Sequence, residues 1–94
     1  LGLLPGADPE LANPYVTVAV PTNMGHARNV IIAHTADALI AIEGEYGTLS
    51  EIAIGLKLGK PVVVLPGGPE VAGTLPAETP GAAVDLALAK VERP

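Results

Sequence analysis

Apolar residues fall into short runs whose periods differ. Leu1-Gly2-Leu3-Leu4 reads as a strand stopped by Pro5-Gly6. Asp8-Pro9 and Asn13-Pro14 punctuate the stretch from Ala7 to Pro14 as turns. From Tyr15 to Val20 the pattern alternates, with Val16, Val18 and Val20 on one face and Thr17 and Ala19 on the other. That predicts a half-buried strand ended by Pro21. Thr22 or Asn23 then caps a helix from about Met24 to Thr35, whose stripe is Met24, Ala27 and Ile31, widened by Val30 and Ile32. Ala38 to Ile42 is short and unbroken, as in a strand covered on both faces. A glycine-containing loop leads into a helix from about Thr48 to Leu58, with Gly59 as its left-handed cap and Pro61 blocking continuation. Pro61 to Pro66 is the clearest strand, Gly67 to Thr79 reads as loop, and Thr79-Pro80 starts a last helix over Gly81 to Val91. Strands alternating with helices predict an α/β fold: a Rossmann-like parallel sheet with flanking helices.

Composition narrows the class. The chain has 94 residues, enough for one small domain, and its only aromatic residues are Tyr15 and Tyr46. Its core is therefore aliphatic. A formal charge of −5 argues against a nucleic-acid or anionic-membrane surface, since both need clustered Lys and Arg. It leaves room for a small anion held by a helix end and one arginine. Without cysteine there is neither a disulfide framework nor a thiolate metal site, and a cytoplasmic setting is expected. No apolar run has the roughly 20 residues of a membrane span, and no basic segment precedes an apolar one as in a signal peptide. The chain opens on Leu1 inside a strand, which reads as a fragment or a processed chain.

The candidate chemistry lies in Gly44-Glu45-Tyr46-Gly47-Thr48, between the Ala38–Ile42 strand and the following helix. Glycines let backbone N–H groups approach an anion, and the helix start adds unpaired donors and a positive dipole end. Thr48 adds a hydroxyl. In an open parallel sheet this turn lies at a strand's carboxyl end, where ligands collect. A purely structural alternative is that Thr48-Leu49-Ser50-Glu51 is a capping box. Glu43, Glu45 and Glu51 also crowd the loop and repel a phosphate. From these residues alone both readings stand. Arg28 reads as a surface residue on a polar helix face or as a planar fork for phosphate or carboxylate. His26 and His34 read as solvent-facing, and their spacing makes no metal pair. Ser50, the sole serine, has no nucleophile-elbow context.

Met24-Gly25-His26-Ala27-Arg28-Asn29, then Ala36-Asp37-Ala38, then Gly44-Glu45-Tyr46-Gly47-Thr48-Leu49-Ser50-Glu51 resembles the Lonely Guy family, long labelled lysine decarboxylase-like. The chain is closer still to an uncharacterised bacterial branch similar to the molybdenum cofactor carrier protein of algae. The resemblance implies that Gly44, Glu45, Tyr46, Gly47 and Thr48 bind phosphate and that Arg28 and Glu51 match a catalytic pair. It implies a nucleoside 5′-monophosphate phosphoribohydrolase that needs no cofactor, or alternatively a carrier of molybdopterin without turnover. The ligand is then a nucleotide or a pterin, and the protein a homo-oligomer. Lysine decarboxylation is unsupported, because no lysine has a pyridoxal phosphate setting. Glu43-Gly44-Glu45 stands where the enzymes carry Pro-Gly-Gly, so binding is favoured over hydrolysis. The resemblance further implies that residues 1–94 are a single domain lacking its N-terminal part, with two strands missing between Leu1–Leu4 and Ala38–Ile42. The strands present are then expected not to form one continuous sheet.

Overall fold

A computed structural model describes residues 1–91. Its elements are β1 (Gly2–Leu4), β2 (Ala19–Pro21), α1 (Arg28–Thr35), β3 (Leu39–Ala41), α2 (Tyr46–Lys57), β4 (Val62–Val64), β5 (Leu75–Pro76) and α3 (Pro80–Lys90), with 3-10 turns at Pro9–Leu11 and Gly25–Ala27. All strand pairs are parallel, as the strand–helix alternation predicts. They form two sheets, β1-β2 and β3-β4-β5, rather than one. No helix among the described residues is long and apolar enough to cross a membrane.

Beta-branched side chains explain β4, the most buried strand. Val62 turns to a cluster with Ala33, Leu39, Ala41 and Ile52, while Val63 turns to Leu65, Ala77, Ala83 and Ala87. The three-stranded sheet thus carries α1 and α2 on one face and α3 on the other. Gly55 lets α2 approach closely: a β-carbon there would overlap the Leu39 side chain and press on Val62. Gly59 ends α2 with φ +74°, and Lys60 N–H returns to the Gly55 carbonyl at 3.0 Å. At α3, the Thr79 hydroxyl accepts from Ala82 N–H at 3.1 Å and Pro80 occupies the first turn, as the sequence predicts.

Four expectations are corrected. Tyr15 to Val18 is not strand: β2 is confined to Ala19–Pro21, and Val18 and Val20 are exposed. The predicted α1 stripe fails, because Met24, Val30 and Ile31 face out while Asn29 and Ala33 are buried. A polar contact with α2, described below, turns the helix that way. β3 is not covered on both faces. Ile40 remains 38 % exposed and, with Ala38, Val84 and Leu88, lines an apolar groove of about 320 Å³ beside the open edge of β3. Finally, the stretch read as loop contains β5, which pairs Leu75 with Val63 and Pro76 with Val64. Two residues long and ending in proline, it carries no period to reveal it.

Candidate functional site

The carboxyl end of β3 leads directly into the glycine loop. Glu43 has φ +53° and Gly44 φ +107°, and Glu45 takes the N-cap position of α2. A left-handed glutamate is an uncommon and strained conformation. No side chain caps the helix. The first bond of the turn runs from Leu49 N–H to the Glu45 carbonyl at 3.0 Å, so the amides of Tyr46, Gly47 and Thr48 precede it and have no partner among the described residues. This corrects the capping-box alternative, because α2 starts two residues before Thr48 and Thr48 is already helical. Its side chain lies under Gly44, where an added β-carbon would overlap the hydroxyl. The hydroxyl is thus held inside the loop.

A second glycine turn, Pro66-Gly67-Gly68-Pro69, follows β4 and faces the first. Glu43 leans on it: a β-carbon on Gly67 would sit 3.8 Å from Glu43 Cγ. Gly44, Tyr46 and Leu49 line one side of a cavity of about 520 Å³, and Gly67, Gly68 and Pro69 line the other. Tyr46 is 87 % exposed beside it. A further cavity of about 550 Å³ continues from Gly67–Pro69 to Thr74 and Glu78. Both fall within the size range of small-molecule sites. Sequence reasoning missed this turn, although a Pro-Gly-Gly-Pro run after a clear strand is a visible signal.

The start of α1 packs against the start of α2. Asn29, 3 % exposed, donates from Nδ2 to the Gly47 carbonyl and to Ser50 Oγ, both at 3.3 Å. Ser50 Oγ donates to the same carbonyl at 2.7 Å. These bonds fix the loop from behind and account for the burial of asparagine on α1, yet Asn29 Oδ1 has no partner among the described residues. His26, read as solvent-facing, also reaches the loop: its Nδ1 lies 3.6 Å from where a Gly47 β-carbon would sit.

Arg28 is half-buried rather than on a polar surface. Nη1 donates to the Leu3 carbonyl at 2.6 Å, tying α1 to β1, and Nε is buried without a partner among the described residues. Glu51, one turn into α2, has its carboxyl pushed above the usual carboxylate range by burial, an effect that the Arg28 charge opposes. The structure thus brings Arg28 and Glu51 within reach of each other's charge. Glu43 and Glu45 are exposed. Among the described residues no group of three or more His, Asp or Glu could hold a metal. The geometry suits an anion on the free amides of α2, with a cavity beside it for the remainder of a ligand.

Comparison with known proteins adds to this geometry. The SLOG cluster4 profile matches residues 1–91. The chain belongs to the SLOG cluster4 family. That agrees with the Lonely Guy-type resemblance of its motifs. An uncharacterized protein of Archaeoglobus fulgidus is 48 % identical over 79 residues, which are 84 % of this chain and 52 % of that protein. Among solved structures, the molybdenum cofactor binding protein from the phototrophic bacterium Rippkaea orientalis superposes with a TM-score of 0.83 at 28 % identity. The match covers 97 % of this chain and 61 % of that one. This SLOG cluster4 chain therefore spans between half and two thirds of the length of both relatives.

Proposed function

We propose that this chain binds the phosphate-bearing end of a nucleotide or pterin at the Gly44–Thr48 loop and shelters the ligand without turnover. The carrying observation is the open start of α2. Three amides lack partners among the described residues, behind a strained Glu43-Gly44 turn, with the Thr48 hydroxyl tucked into the loop. Likeness to a molybdenum cofactor binding protein supports the pterin side of this reading. The residues present fit such a group through its organic part. With no cysteine in the chain, recognition rests on phosphate and ring rather than on thiolate ligation of the metal. Exposed Glu43 and Glu45 oppose a phosphate only through water, which weakens their repulsion.

A second reading, phosphoribohydrolase, is favoured by Glu51. A half-buried carboxyl with a raised pKa beside Arg28 suits stabilisation of a ribosyl cation or delivery of water to it. Against it, the Arg28 guanidinium is engaged by the Leu3 carbonyl. Incubating the full-length protein with AMP and following adenine release tests this, beside Arg28→Ala and Glu51→Ala. Release by the parent, lost in both variants, would overturn the sheltering reading. A bound pterin or nucleotide after purification, with no base released, is the expected result. We further propose that the protein is a homo-oligomer covering the Ile40, Val84 and Leu88 surface, which sedimentation of parent and Leu88→Glu forms would test.

A further inference from the structure

The sheet itself spaces the parts of this site. β3, β4 and β5 are adjacent, parallel and in register, so their carboxyl ends lie side by side. β3 ends in the Gly44 loop, β4 in the Gly67-Gly68 turn, and β5 in Ala77-Glu78. Neighbouring strands are about 4.8 Å apart, so the end of β5 lies roughly 10 Å from that of β3. That is the scale of the span from a phosphate to the far edge of a purine or pterin ring. The two cavities bridge the same span and share Gly67, Gly68 and Pro69. A flat ring can lie across that turn because its glycines present no side chain.

Two carboxylates line the far cavity, Glu70 and Glu78. Glu70 sits in the long connection between β4 and β5. Glu78 is anchored on both sides: Ala77 is buried and its N–H bonds the Val64 carbonyl at 3.1 Å, while Thr79 caps α3. A carboxylate accepts hydrogen bonds only, so it matches a ring edge that donates twice. The edge shared by guanine (2-amino-6-oxo) and pterin (2-amino-4-oxo) does this with a ring N–H and an exocyclic NH₂. Hypoxanthine lacks the amino group, and adenine has no ring N–H at that edge.

We infer that Glu78 is a specificity-determining residue that reads the amino and ring N–H edge of a guanine or pterin whose phosphate rests on the Gly44–Thr48 loop. This rests on the phosphate-binding reading above and adds a ring class to it. Calorimetric titration of the full-length protein with GMP, IMP, AMP and 6-hydroxymethylpterin phosphate tests it. GMP is expected to bind about tenfold tighter than IMP, the scale of one hydrogen bond to a charged acceptor. Glu78→Gln, an exposed substitution whose folding is checked by circular dichroism, should erase that ratio by weakening GMP, which offers two donors to the carboxylate, more than IMP, which offers one. Glu70→Gln should preserve the ratio. The relative affinity of GMP and the pterin phosphate distinguishes the two sources of the edge. Equal GMP and IMP affinities, or a ratio that survives Glu78→Gln, would overturn the assignment and leave phosphate binding intact. Failure of all four ligands to bind would overturn the phosphate reading and this one with it.

Discussion

Helices α2 and α3 both follow strands of one sheet, yet their first turns are built in opposite ways. At α3, Thr79 accepts from Ala82 N–H and Pro80 contributes no N–H, so two of the orphan donors are removed within the chain. At α2, no side chain caps the turn, Glu43 and Gly44 both take positive φ, and the nearby polar groups of Asn29 and Ser50 are spent on the Gly47 carbonyl rather than on the amides. One end is closed for stability. The other gives up a cap, worth about 1 kcal/mol, and adds backbone strain of order 1–3 kcal/mol. Under the proposed function, the ligand phosphate completes this end.

The sharpest way to break this contrast is to place the same methyl group at each end. Gly44→Ala puts a β-carbon into the Thr48 side chain at a φ of +107°, so binding of GMP or a pterin phosphate should be lost by about a hundredfold or more. Stability should fall by roughly 2 kcal/mol or more in denaturant titration. Gly81→Ala, in the first turn of α3 with open space around it, should stabilise by about 0.5 kcal/mol and leave binding untouched. If the two substitutions behave alike, the loop geometry has no functional meaning.

Two threonines give a smaller, reciprocal test. Thr79→Ala should cost about 1 kcal/mol of stability, with ligand affinity unchanged. Thr48→Ala removes a hydroxyl that caps nothing, so stability should shift by less than that while affinity falls about five- to tenfold. Chemical denaturation and calorimetry on the same two proteins suffice. A Thr48→Ala protein that is destabilised but binds normally would reverse the assignment.

Much of α3 was legible because its signals are local: a threonine, a proline and a run of small apolar residues specify cap, first turn and face. α2 was placed correctly as a helix but started two residues late, since Thr48-Leu49-Ser50-Glu51 imitates a capping box and only the backbone angles of Glu43 and Gly44 reveal the earlier start. The buried face of α1 was hidden for a different reason. Asn29 is buried by bonds to Gly47 and Ser50, some twenty residues away, which no helical period encodes. β5 was hidden because a two-residue strand has no period at all, and with it went the position of Glu78. Glycine spacing marked the loop and motif resemblance paired Arg28 with Glu51; neither pointed to the Leu3 carbonyl as the Arg28 partner.

The smallest effect concerns pH and separates the back of the site from its front. Burial raises the Glu51 carboxyl above its ordinary value of 4.5, with Arg28 pulling the other way. Between the ordinary value and the raised one, the folded chain binds more protons than the unfolded chain. Stability from this group is therefore fully present below pH 4.5 and is lost as pH rises through the folded value. Glu51→Gln should accordingly be slightly more stable than the parent near pH 7, with the advantage vanishing as pH falls below the ordinary carboxylate range. Arg28→Met removes the opposing charge, so Glu51 should rise further and the neutral-pH penalty should grow. Loss of the bond to the Leu3 carbonyl adds only a pH-independent offset. The slope of stability against pH therefore reports the charge coupling, and its intercept reports the tether. Thr79→Ala at the closed end should leave that slope as it is. A slope unchanged by Arg28→Met would mean that the arginine serves β1 alone, which would remove the one observation favouring catalysis at this site.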